Sequence, residues 1–238
     1  MRVNSSLLLR CSVCLLLIPA LFAGCAKTRQ GRSVEPSGFL GDYSKFRKGE
    51  GEEAQLVYLN PKVKDNFSHY NKIMIDKITV YSVEGSKLDK LDKEQVESLV
   101  AYLNQSLTTE LSKDYQIVDK PGPDVLKLRA AITESRGSKV VLDSISTIIP
   151  QFRLLSAGGQ LIGDTSVVVG KARVEAELCD SVTGERLGAA VDERSGSKAL
   201  KGVFTKWSDV RDAYDHWAIR LRERLAELRA GNIEGTPK

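Results

Sequence analysis

Apolar residues in this chain fall into a few separated runs, and their spacing sorts those runs into elements. The first is "CSVCLLLIPALF" (11–22), about a dozen uncharged residues after the cationic opening "MRVNSSLLLR". It leads into Ala23, Gly24 and Cys25. A positive start, a short apolar core and a small-residue exit form the pattern of a secretory signal. The run is too short to cross a bilayer core, which takes about 20 apolar residues. No later stretch approaches that length, so no transmembrane helix is expected.

Beyond the signal the pattern turns polar. "AKTRQGRSVEPS" (26–37) reads as a flexible tether with a reach of roughly 20 Å. In "SGFLGDYSKF" (37–46), Phe39, Leu40, Tyr43 and Phe46 are apolar enough to dock on the surface of a domain. "KGEGEE" is a loop and "QLVYL" a short strand. "NKIMIDKITVYS" (71–82) is β-branched and apolar, the pattern of one buried strand. Asp92 is placed to cap a helix, with Gln95 at the capping-box position. Val96, Leu99, Val100, Leu103, Leu107 and Leu111 then form a single apolar face.

"YQIVD" (115–119) gives another strand and "PGP" (121–123) a turn. "LKLRAAIT" (126–133) and "ARVEAEL" (172–178) alternate apolar and polar, with Ala172, Val174, Ala176 and Leu178 set against Arg173, Glu175 and Glu177. Such alternation predicts a sheet with one solvated face. Residues 137–171 read as two shorter strands joined by a Gly-rich connection at 156–163. "DSVTGERL" (180–187) is a hairpin turn before a strand near 187–194. The last element is a helix whose stripe is Trp207, Val210, Tyr214, Trp217, Ala218, Leu221, Leu225 and Leu228, stopped at Gly231.

This order predicts an α+β fold: a mixed, mostly antiparallel sheet with helices packed on one face. The expected organisation is a signal at 1–24, a tether at 25–37, one domain at 38–231 and a disordered tail at 232–238.

Composition adds limits. The chain of 238 residues is 42% hydrophobic and 28% charged, enough to bury a core. Its net charge of +4 falls to +2 without the signal, since Arg2 and Arg10 leave with no acidic residue. That balance gives no reason to expect nucleic-acid binding. Once the signal is removed, Cys25 and Cys179 are the remaining cysteines. If Cys25 carries lipid, Cys179 has no partner for an intramolecular disulfide.

Candidate chemistry is sparse. "GGQLIGDTS" (158–166) resembles a phosphate-cradling loop from Gly158 to Thr165, but Asp164 stands where that motif needs lysine. Asp209, Asp212 and His216 share the polar face of the last helix. First-turn acids and an i,i+4 pair account for them without a metal. His69 lies far away in sequence and completes no zinc spacing. Cys179 adjoins Asp180, the wrong charge for an activated thiol. "RLRERLAELR" (220–229) could lie on an anionic membrane, but its stripe continues the core face of the preceding turns. No catalytic residue, metal or cofactor is assigned, and the expectation is a non-enzyme.

Phe22-Ala23-Gly24-Cys25 resembles a bacterial lipobox, with Phe22 where leucine is commonest. The resemblance implies cleavage by signal peptidase II between Gly24 and Cys25, and lipid attachment at Cys25. Three acyl chains there would hold the protein far more firmly than one. Ala26, rather than aspartate, after the cysteine implies the outer rather than the inner membrane.

The stretches "SGFLGDYSKF", "VYLNP", "YNKIMIDKITVY", "LSKDYQIVDKPGPDVLKLRAAIT", "ARVEAELCDSVTGERLGAAVD" and "WSDVRDAYDHWAIRLRERL" resemble a family of uncharacterised proteobacterial lipoproteins, a domain of unknown function. The resemblance implies one domain and an envelope location. The function expected is that of a lipid-anchored, periplasm-facing protein acting through protein contacts in envelope assembly or transport. An anchored binding module for a small or polymeric envelope ligand is the alternative, and a hydrolase with a dispersed site a weaker one. Expected partners are the membrane, through the N-terminal lipid, and an envelope protein, but no nucleic acid.

Overall fold

A computed structural model describes residues 28–31, 33–63, 67–81, 91–133, 172–196 and 207–232. Cys25, the signal and the segment 137–171 lie outside them. Among the described residues nine strands form one sheet, with two α-helices on one face. The strands are β1 Thr28–Gln30, β2 Arg47–Lys48, β3 Leu56–Leu59, β4 Lys72–Ile75, β5 Thr79–Tyr81, β6 Gln116–Ile117, β7 Val125–Thr133, β8 Ala172–Asp180 and β9 Arg186–Gly196. The helices are α1 Lys93–Leu111 and α2 Trp207–Arg229. The α+β class, with a largely antiparallel sheet and helices on one face, is as the pattern predicts.

The long strands β7, β8 and β9 form an antiparallel centre. Two broken strands flank it. On one side β1 and β3 pair in succession with β9, and on the other β4 and β5 pair in succession with β7, in parallel. The run 71–82, expected as one strand, is therefore two. Ile75 pairs with Leu128 and Thr79 with Ala131, so four steps on the edge oppose three on β7. That extra residue is a bulge. It turns Ile78 into the core, while Asp76 donates its N–H to the Leu128 carbonyl and pairs with Lys127.

Local signals set both helices. Asp92 accepts the Gln95 N–H at 2.8 Å, and the Gln95 side chain returns to the Asp92 N–H, closing the expected capping box. All six stripe positions of α1 are buried. α2 ends where Gly231 adopts φ of +77°. There Gly231 N–H bonds to Leu228 and Asn232 N–H to Glu227, the paired bonds that close a helix through a left-handed residue. The helices run parallel. Arg211 lies over the Tyr102 ring, Asp215 accepts from Tyr102 at 3.0 Å and Ser106 at 2.7 Å, and Arg222 reaches Glu110 and Asp114. Their apolar faces and those of β4, β7 and β8 share one core that includes Ile73, Leu103, Leu126, Leu128, Tyr214 and Leu225.

The other sheet face corrects the expectation of a solvated surface. Arg173, Glu175 and Glu177 are all buried, Glu175 to 0% exposure. Burying a charge costs heavily unless it is paired and hydrogen-bonded; Arg173 and Glu177 are in ion pairs, and Glu175 is held by hydrogen bonds. Arg173 pairs with Glu193 at 2.6 Å and donates to the Glu35 carbonyl. Glu177 pairs with Arg129 and Arg186. Glu175 accepts from the Ser37 N–H and the Tyr43 hydroxyl. The cover is the segment 33–46, whose Phe39, Leu40, Tyr43 and Phe46 pack with Ala189 and Val191. Those aromatics dock as expected, onto a charged floor.

The expected tether also differs. Three of its residues, Thr28–Gln30, form β1 in the sheet, and Glu35 and Ser37 bond to β8.

Candidate functional site

A half-open cleft of about 240 Å³ lies between α2 and the β3–β9 side of the sheet. It follows from a size mismatch between helix and sheet. α2 presents Trp217, Leu221, Leu225 and Leu228, while the facing strands present Ala176, Gly188 and Ala190. A long stripe over these small residues leaves space, bounded by larger neighbours such as Leu59, Val174 and Leu178. Trp217 and Leu221 consequently remain only partly buried. The sequence pattern assigned both to the core, and they form the roof of the cleft.

Charges gather at one end. Asp192 is 4% exposed and accepts from Gln30 Nε2, the Gln55 N–H and Trp217 Nε1. The 2.7 Å bond from Trp217 fixes the indole against the sheet. Arg194 donates through Nε to Thr28 Oγ1 at 2.8 Å and through Nη2 to the Thr28 carbonyl. His216 faces this group. Burial, then the guanidiniums of Arg194 and Arg220, outweigh Asp192 and Glu52 and hold its pKa below the usual imidazole value. Beside this group Arg47 makes two bonds to Glu53, which is joined to Asp192 through the Gln30 amide. Burial alone would raise the Glu53 pKa, but bonds from Arg47 and the Glu50 N–H bring it below the ordinary carboxylate value. The rim charges are thus largely paired among themselves, and the floor is apolar. Such a site holds an apolar group by exclusion of water.

The other candidates fall apart in space. Cys179 is buried, and burial, then Glu177, push its thiol pKa up. His69 turns to the Pro123 carbonyl, and His216 is at the cleft. Asp209 and Asp212 make no metal-ligand group with His216 among the described residues. Asp215, which the pattern did not single out, ties α2 to α1. The arginines of 220–229 are largely engaged: Arg220 with Glu223, Arg224 with Glu227, Arg222 with α1, and Arg229 with the Tyr70 carbonyl and the Tyr115 ring. The Gly158–Thr165 loop lies outside the described residues.

A family model described as "Protein of unknown function (DUF3313)" matches residues 35–221. The chain belongs to this family. The matched span contains most of the cover segment, β2 to β9 and most of α2, and so most of the cleft. No curated protein matches the chain. Among solved structures, it is similar to a point-substituted PelC dodecamer from Paraburkholderia phytofirmans. That pair has 14% identity and a TM-score of 0.36, covering 70% of this chain and 94% of that one. A second likeness is to lipoprotein GNA1162 from Neisseria meningitidis (12%, TM-score 0.30, covering 66% and 99%). A third is to a DUF4136 family protein from Bacteroides thetaiotaomicron (13%, TM-score 0.30, covering 74% and 96%).

Proposed function

We propose that this chain is a lipid-anchored bacterial envelope protein, facing the periplasm from the outer membrane, that works by contact rather than catalysis. The observation that carries the reading is the stretch Phe22-Ala23-Gly24-Cys25 at the end of a short apolar run behind a cationic start. Cleavage before Cys25 makes that residue the attachment point. The task is assembly or transport through protein contacts, performed by the domain that the anchor holds.

The cleft favours a second reading, an anchored binding module. Its apolar floor and polar rim are the general form of a ligand site. Exposed large apolar side chains are few by comparison, Val182 and Ile219 among the described residues. No observation favours a dispersed hydrolase site: the carboxylate–hydroxyl contact of Asp215 with Ser106 lies between the helices and outside the cleft lining.

The test is metabolic labelling with palmitate. Cys25→Ser should abolish the label and leave the precursor at full length. A variant that still labels would sink the anchor. Fractionation of the labelled protein then decides the membrane: label in the inner-membrane fraction would refute the outer-membrane placement. Crosslinking in intact envelopes, followed by affinity capture, tests action through a protein partner.

A further inference from the structure

We propose that the cleft beneath α2 houses one acyl chain of the molecule's own Cys25 lipid whenever that chain is outside a bilayer. The proposal rests on the lipidation put forward above and goes beyond it.

Position argues first. Thr28, the first residue of β1, is bonded to Arg194, and Arg194 lines the cleft. Cys25 precedes Thr28 by three residues, within about 10 Å of extended chain. The attachment point and the mouth of the cleft are therefore neighbours. Length argues next. The lining residues of α2 run from His216 to Leu228, about 18 Å at 1.5 Å per residue. A chain in one leaflet spans about 15 Å, half of a bilayer core of ~30 Å.

Chemistry and size complete the case. The roof and floor are apolar along Trp217, Leu221, Leu225, Ala176 and Ala190. A volume of about 240 Å³ takes part of one chain, the remainder lying along the open side of the cleft, and has no room for three. Covalent attachment gives the molecule's own chain an effective concentration in the millimolar range, so in water it outcompetes scarce free amphiphiles. Inside a bilayer the competition reverses, since surrounding lipid chains provide the better solvent and the cleft empties.

The experiment uses the full chain from cells fed palmitate bearing a diazirine midway along its length. The purified protein is freed of detergent and irradiated. The expected result is an intramolecular adduct on peptides containing Trp217–Leu228 or Val57–Leu59. Reconstitution into phosphatidylethanolamine–phosphatidylglycerol vesicles before irradiation should remove it. Ala190→Trp fills the floor and should lose the adduct while keeping the Cys25 label. Ala176→Leu serves as a second filled variant if the first fails to give the native circular-dichroism spectrum. Adducts found only on other copies, lipid or detergent overturn the proposal. So does an adduct that persists undiminished in a filled variant with native spectrum. Absence of label on Cys25 is a separate failure, read directly on the gel before irradiation, and it removes the anchor itself.

Discussion

Glu175 shows how far a single residue can depart from its sequence context. It alternates with alanine and valine as an outward-facing acid should, yet it is wholly buried and holds two donors, the Ser37 N–H and the Tyr43 hydroxyl. Burial, then the bond to Glu175, push the Tyr43 phenol well above its ordinary pKa, so it remains a donor at any physiological pH. Tyr43→Phe removes that donor without changing shape. The carboxylate is then under-satisfied, at a cost of about 1–3 kcal/mol, which urea denaturation will register as a lower midpoint with unchanged slope. His216 gives a pH prediction of definite sign. Its pKa is depressed in the fold, below the unfolded value of about 6.5. The unfolded chain therefore takes up a proton first, so this contribution is complete above about pH 6.5 and drains as pH falls. His216→Asn should flatten the stability curve between about pH 5 and 7, above the carboxylate titrations. An unchanged slope would show that His216 is not the group responsible. Neither effect could be read from sequence, because each depends on what segments distant in the chain bring against the residue.

Elements were legible where the signal was local and ambiguous where it depended on cover. The capping box at Asp92, the stripes of both helices and the Gly231 stop all follow from neighbours in sequence. The alternation of β8 was equally clear, but it distinguishes only two faces and does not say what lies on each. Solvent and a charged, strapped-down interior give the same pattern of Arg and Glu. The split of 71–82 into β4 and β5 escaped because a bulge is defined by register against β7. The junction between the helices was missed for a similar reason: Asp215 resembles any surface acid of α2 until α1 is placed beside it. There it bonds Tyr102 and Ser106 together. Asp215→Ala leaves both hydroxyls without that acceptor. A loss of about 1–3 kcal/mol is expected, with faster amide exchange confined to α1 and α2. Exchange that rises equally in β7 and β8 would argue against a local junction.

At the scale of the molecule, the folding unit is larger than the span that the family shares. The family match covers 35–221, yet β1 begins at Thr28, and α2 continues to Arg229 with Leu225 at 1% and Leu228 at 7% exposure. Each of those leucines is worth about 1.5–3 kcal/mol on burial. β1 adds a donor from Gln30 to Asp192 and, in Thr28, an acceptor for Arg194, both of which would otherwise be buried with too few partners. Domains of this kind are stable by only about 5–15 kcal/mol in total, so losing both ends removes a large part of the margin. A chain cut to 35–221 should therefore melt far lower than one spanning 28–232, or lose its cooperative transition. The opposite outcome, equal melting temperatures, would make β1 and the last turns of α2 dispensable decoration. The same arithmetic bears on the anchor. With β1 committed to the sheet, two residues, Ala26 and Lys27, separate Cys25 from the folded domain. If Cys25 carries the proposed lipid, the domain sits within about 10 Å of it, half the reach of the tether expected from composition. Inserting twelve Gly/Ser residues between Lys27 and Thr28 should leave the melting temperature of the folded domain unchanged while moving it outward, measurable as reduced energy transfer from Trp217 to a headgroup acceptor in vesicles. Unchanged transfer would mean that contacts of the domain itself, rather than the short link, set its distance from the membrane.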